Sequence, residues 1–178
     1  MKSKGFLKSI AAVAGSALLG LTVAKVAVAA NPEPVVVEVE WVAAITIAET
    51  NPLQFGLLDV AMADTETVVI ATDGGVTDAN NNVTGGTQAA ATFNTTAAPG
   101  KAITILVDNI GNGTYYTLGS FTCDYDGDTA GACDGGGLSE TSVAGSIEVR
   151  VGATLTKNST PAVAGADNGS FDLTITYQ

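Results

Sequence analysis

Phe171-Asp172-Leu173-Thr174-Ile175-Thr176-Tyr177-Gln178 decides the fold class of this chain. Apolar residues hold every odd position and polar residues every even one, a period of two that belongs to an extended strand. Such a strand buries one face and wets the other, as in an antiparallel sheet with a core on one side. The same period runs through Val35-Val36-Val37-Glu38-Val39-Glu40-Trp41-Val42-Ala43-Ala44-Ile45-Thr46-Ile47, apolar at every odd position and ended by Asn51-Pro52. This stretch predicts one strand or two consecutive ones.

Between these two segments, Val, Thr and Ile gather into runs separated by Gly, Asn and Asp, which predicts strands over 65–72, 88–95, 101–107, 114–122 and 145–156. The punctuation is Asp73-Gly74-Gly75, Asn80-Asn81-Asn82, Pro99-Gly100, Gly111-Asn112-Gly113 and Ala166-Asp167-Asn168-Gly169. Short strands with regular turn signals, no repeat of fixed period and no dividing linker predict one all-β domain, an antiparallel β-sandwich.

The first residues read differently. Lys2, Lys4 and Lys8 precede an uncharged, Ala- and Leu-rich stretch from Ile10 to Val23, and Ala27-Val28-Ala29 supplies small residues for a signal-peptidase site. The three features together predict a secretory signal peptide over residues 1–29. Lys8 and Lys25 bracket only 16 uncharged residues, fewer than the roughly 20 apolar residues of a spanning helix. The expected mature form therefore has no membrane span.

Charge and composition exclude several functions. The chain has 18 acidic residues, 7 Lys plus Arg and no His, and four of the seven cations lie in the first 25 residues. A mature chain left with Lys101, Arg150 and Lys157 repels phosphate backbones, so no nucleic-acid partner is expected. Without histidine there is no Ser-His-Asp or Cys-His arrangement and no common zinc site. Glu38 and Glu40 form a carboxylate pair, but on an alternating strand such a pair is simply the wet face. Trp41, the only tryptophan, is expected in a core or interface and not as a sugar-stacking platform. No enzyme is expected.

Cys123 and Cys133 are the only cysteines, and in a secreted chain they predict a disulfide. The loop they bracket holds Asp124, Asp126 and Asp128, with Asp134 following. Carboxylates at such spacing in a Gly-containing loop can converge on Ca²⁺, which takes six to eight oxygens. Thr129 and Gly135 stand where an EF-hand needs Gly and Glu. The alternatives are a calcium site of another kind, with Ca²⁺ as the candidate cofactor, and a solvated acidic loop.

Further short motifs carry a resemblance. They are Leu53-Gln54-Phe55-Gly56, Ala91-Thr92-Phe93 followed by the Pro99-Gly100 turn and Ala102-Ile103-Thr104-Ile105, Val151-Gly152-Ala153-Thr154-Leu155, and Gly169 to Gln178. On these the chain from about Ala44 onward resembles the secreted bacterial family catalogued as domain of unknown function 4402. That family is similar in turn to chaperone–usher pilins and spore-coat-U-like fibre subunits. The resemblance implies an immunoglobulin-like, pilin-like sandwich that lacks its final strand. It also implies a periplasmic chaperone that reads an alternating last strand with a penultimate aromatic residue, matched by Tyr177, and a glycine fourteenth from the end, matched by Gly165. The Cys123–Cys133 loop lies outside the pattern.

Two functional expectations follow. In the first, the protein is a fimbria- or pilus-like fibre subunit on the surface of a Gram-negative-type bacterium, reached through the periplasm with a chaperone and an outer-membrane usher. Residues 30–41 are then the donor strand, with Val35, Val37, Val39 and Trp41 entering a groove beside Phe171, Leu173, Ile175 and Tyr177 of another copy, and residues 42–178 are the sandwich. The donor segment could instead fold back within its own domain. In the second, the protein is a monomeric extracellular binding module whose acidic loop contacts glycans or a partner protein.

Overall fold

The structure, a computed structural model, describes residues 38–178. The expected signal peptide and the donor positions Val35 and Val37 lie outside the described residues. Twelve strands follow one another: β1 (Thr46–Asn51), β2 (Gln54–Leu58), β3 (Thr67–Ile70), β4 (Val76–Thr77), β5 (Val83–Ala89), β6 (Ala91–Thr96), β7 (Ala102–Gly111), β8 (Tyr116–Tyr125), β9 (Gly131–Ala132), β10 (Leu138–Thr141), β11 (Ser146–Lys157) and β12 (Ser170–Tyr177). All named ladders are antiparallel. Among the described residues no helix is long and apolar enough to cross a membrane.

Two layers enclose the core, as a β-sandwich requires. The spine of the first is β11, the longest strand. One of its edges is shared by β6 over Ser146–Val151 and by β3 over Ala153–Thr156, while β8 lines the opposite edge. Beyond β6 lies β1, beyond β3 lies β4, and β9 pairs with β8. The second layer is the three-stranded sheet β10-β7-β12, and β2 pairs with β5 in a separate ladder.

Alternation explains the packing. Ile103, Ile105 and Val107 of β7 point inward and are buried, as are Ile147, Val149 and Val151 of β11. They meet Phe93 of β6, Phe121 and Cys123 of β8 and Ile175 of β12 in one apolar cluster. The ladder between β11 and β8 shifts register between Gly152 and Thr154. A Cβ on Gly152 would stand 2.4 Å from the Ile70 carbonyl oxygen and 2.9 Å from the Ala71 carbonyl carbon. Only glycine lets β3 lie this close to β11.

The turn chemistry holds where expected. At Asp73-Gly74-Gly75 the Ala71 and Gly75 main chains bond (2.8 Å), and the Asp73 carboxylate accepts the Gly75 N–H (2.8 Å). The predicted turn at 166–169 is instead part of the connection from β11 to β12. Asp167 ties it down by accepting the Thr114 and Tyr115 N–H groups (2.8 Å each). Burial pushes the Asp167 carboxyl up, but these two bonds outweigh it and hold the group below the usual carboxylate range.

One expectation needs correction and another is narrowed. Over its described part, the alternating stretch from Val35 to Ile47 is a strand only at its end: residues 38–45 carry none, and the first strand runs from Thr46 to Asn51. Trp41, expected in a core or an interface, is 92% exposed, which removes the core and leaves the interface. Alternation specifies which side chains share a face, but a strand exists only where a neighbouring strand takes up its backbone groups.

Candidate functional site

Strand β12 pairs with β7 along one edge only, and its other edge has no partner among the described residues. The register of that pairing assigns the backbone groups. Tyr177 lies opposite Ile103, and one step further the Gln178 N–H donates to the Ala102 carbonyl at 3.0 Å. Hydrogen-bonded pairs alternate along an antiparallel ladder. Thr176 and Thr174 therefore direct their N–H and C=O groups at β7, and Leu173, Ile175 and Tyr177 direct theirs at the open edge. The Val107 N–H, which donates away from β12 to the Cys133 carbonyl at 2.8 Å, fits the same alternation.

The residues expected as an acceptor groove share the inner face of this strand. Ile175 is buried, and Phe171, Leu173 and Tyr177 are half-buried against the core cluster. Phe171 packs edge-on against Phe93, with centroids 6.3 Å apart, and tilted on Phe121 at 5.2 Å. At the far end the Tyr177 hydroxyl donates to the Ala43 carbonyl (2.9 Å) and accepts the Ala98 N–H (2.6 Å). This tyrosine thereby pins residue 43 beside the end of β12.

Across the opening stands β1. Ile47 lies opposite Thr95 and Glu49 opposite Phe93, and directly paired residues share a face. Both therefore point toward the sandwich interior, yet every residue of β1 is exposed. Ile47 keeps 38% of its surface exposed, so the inner side of this strand is incompletely covered among the described residues. Between the start of β12 at Ser170 and Phe171, the connection that precedes it and the segment from Glu49 through β2 lies a cleft of about 1040 Å³. Phe55, Met62, Phe93, Tyr116, Leu118 and Phe171 line it, with exposed Leu57, Val60 and Val163 at its lips. A second, smaller recess of about 280 Å³ lies at the Tyr177 end, lined by Glu40, Val42, Lys101 and Tyr177. Lys101 and Glu40 form an ion pair there.

Close approach shapes the wall formed by β2. Gly56 has φ +80°, and a Cβ there would stand 2.5 Å from the Gly85 carbonyl oxygen of β5. The Leu53-Gln54-Phe55-Gly56 motif thus serves a bulged crossing that turns Phe55 toward the cleft. Sequence reasoning missed β2 because its alternation is broken by that bulge, and missed Met62 because it lies between strands; Tyr116 falls in the predicted strand 114–122, but its place on the cleft depends on distant elements. Gly165, the expected chaperone-motif glycine, stands exposed on the cleft wall with nothing within 4 Å of its would-be Cβ.

The acidic loop carries the expected disulfide but does not gather its carboxylates. Cys123 and Cys133 form the disulfide, with Cα atoms 5.7 Å apart, and both are buried. Asp126 and Gly127 take positive φ at the tip of a tight turn. Asp134 is turned back onto the chain, accepting the Phe121 N–H at 3.1 Å. Asp124 is buried on β8 opposite Arg150, and its Oδ1 has no hydrogen-bond partner. Burial first, then the charges of Asp128 and Asp124, push the Glu140 carboxyl above its ordinary range. The four aspartates do not converge, and among the described residues no group of three acids is placed to hold a metal ion.

Fold and cleft together define the class: an antiparallel all-β sandwich in which, among the described residues, the outer edge of β12 is unpaired. The family model described as Domain of unknown function (DUF4402) matches residues 45–177, and the chain belongs to that family. No curated protein and no solved structure matches the chain.

Proposed function

We propose that this protein is a non-enzymatic, secreted fibre subunit that assembles with copies of itself by β-strand donation. One observation carries the reading: among the described residues the outer edge of β12 is unpaired, and at its Phe171 end it opens onto a cleft of about 1040 Å³ with Phe55, Phe93 and Leu118 in its lining. Unpaired strand edges with an apolar floor are templates for a further strand. The donor is residues 30–41, whose odd-position side chains Val35, Val37, Val39 and Trp41 enter beside Phe171, Leu173, Ile175 and Tyr177 of the next copy. Val39 and Trp41 are 68% and 92% exposed, which leaves their apolar surface for a partner. A donor and a slot on different parts of one chain make a heterologous, non-closing contact, hence a filament.

In this reading residues 1–29 direct export. A periplasmic chaperone fills the slot before assembly, with Tyr177 and Gly165 in its recognition, and an outer-membrane usher delivers subunits to the cell surface. The test is electron microscopy with size-exclusion chromatography on the mature protein, with and without residues 30–40. Filaments from the full mature chain and none from the shortened one are expected. A well-folded monomer in both cases would overturn the reading.

A further inference from the structure

The slot is not uniform, and the donor is not uniform either. We infer that Trp41 of one copy seats in the wide cleft beside Phe171 of the next and is the anchor of the contact. The inference rests on the strand-donation reading and adds to it a register, a direction and a principal residue.

The argument begins with the backbone. A strand added to β12 bonds to the outward groups of Leu173, Ile175 and Tyr177, so directly paired donor residues point their side chains inward with these. The inward donor residues are the odd ones, four in number, matching four inward positions on β12. Antiparallel addition places Val35 opposite Tyr177, Val37 opposite Ile175, Val39 opposite Leu173 and Trp41 opposite Phe171. The largest donor side chain then falls at the end where the space is about 1040 Å³, between the aromatic rings of Phe55, Phe93 and Phe171. Parallel addition would bring Trp41 to Tyr177, whose hydroxyl is already engaged by Ala43 and Ala98 and where the recess is about 280 Å³. Space and side-chain size therefore favour the antiparallel direction.

Trp41 is also the described side chain with most to gain. It is the most exposed large apolar residue among those described, at 92%, and a tryptophan closed into a fully desolvated pocket is a typical interface hot spot. The same register carries a cost that identifies it. On the wet face it sets Glu40 opposite Asp172, and like charges directly opposed across a strand pair repel. Added salt should therefore favour assembly, and Asp172→Asn should favour it further.

Because Trp41 is the only tryptophan, its fluorescence reports this one site in the unmodified mature chain. Assembly is followed by size-exclusion chromatography while emission and acrylamide quenching are read in the same samples. The expected result is a blue shift and loss of quenching that track assembly. Trp41→Ala should raise the concentration needed for assembly by about 30-fold or more, as a hot-spot truncation does. Trp41→Phe should recover part of that loss. Asp172→Asn should lower the required concentration. Filaments in which Trp41 stays exposed and quenchable, or Trp41→Ala filaments formed at the parent's concentration, would overturn the anchor and leave strand donation standing. If Asp172→Asn has no effect, the stated register is wrong. Failure of the parent itself to assemble would remove the strand-donation reading, and this inference with it.

Discussion

Occupying the slot should leave a two-residue rhythm in the hydrogen exchange of β12. In the unassembled chain the N–H groups of Leu173, Ile175 and Tyr177 face an open edge and should exchange at close to the rate of free amides. Those of Thr174, Thr176 and Gln178 are bonded to β7 and exchange only when β12 leaves it. That opening is expensive: Ile175 is 7% exposed, and Phe171 is packed on Phe93 and Phe121, so β12 cannot detach without opening the main core. Its free energy should approach that of global unfolding, taken at the low end of the usual range as about 5 kcal/mol. At 1.4 kcal/mol per decade this is roughly three to four decades of protection. Backbone amides resolved singly by NMR should therefore alternate between unprotected odd and protected even positions. Assembly should add protection to the odd ones alone. The reasoning is refuted if Ile175 and Tyr177 in the free monomer are protected as strongly as Thr174 and Thr176, because the edge would then already be covered.

Replacing Cys123 and Cys133 together by Ser should lower stability by about 3 kcal/mol, the loop-closure effect of so short a bridge, and lower Tm by about 6–12 °C. Calorimetry that finds no change would mean that the β8–β9 hairpin is held without the bond. Glu140→Gln should raise Tm modestly at neutral pH, where burial and the charges of Asp128 and Asp124 oppose ionisation. Its folded-state pKa is raised, so the folded form binds the proton more tightly and the group's unfavourable effect fades as pH falls through that raised value. The advantage of the variant should shrink on acidification; an advantage that grows instead would contradict the assignment.

Much of the fold was legible because a two-residue period states both the element and its face. The alternation at 171–177 marked β12, and its odd residues do pack on the core. The run at 145–156 is β11 almost to the residue, and 101–107 is the buried part of β7. The short strands β4, β9 and β10 were not legible, since two to four residues leave no period to read and exist only by pairing with a neighbour. The acidic loop shows the same limit. Asp124 and Asp134 are close in sequence, but strand geometry sends one to the face of Arg150 and turns the other to the Phe121 N–H.

By itself, then, the amino-acid order determined the all-β class, the inward set Phe171, Leu173, Ile175 and Tyr177, and the pairing of the only two cysteines. Each of these follows from local chemistry: side-chain alternation, turn residues and the reactivity of two thiols in a small loop. Only the tertiary structure decided that β12 has no second partner among the described residues, that Ile47 on the inner side of β1 is only partly covered and that Trp41 stands in solvent. Those are properties of what lies across a gap, set by which distant strands meet. A periodic pattern names the face that must be covered, and only the assembled chain shows what covers it.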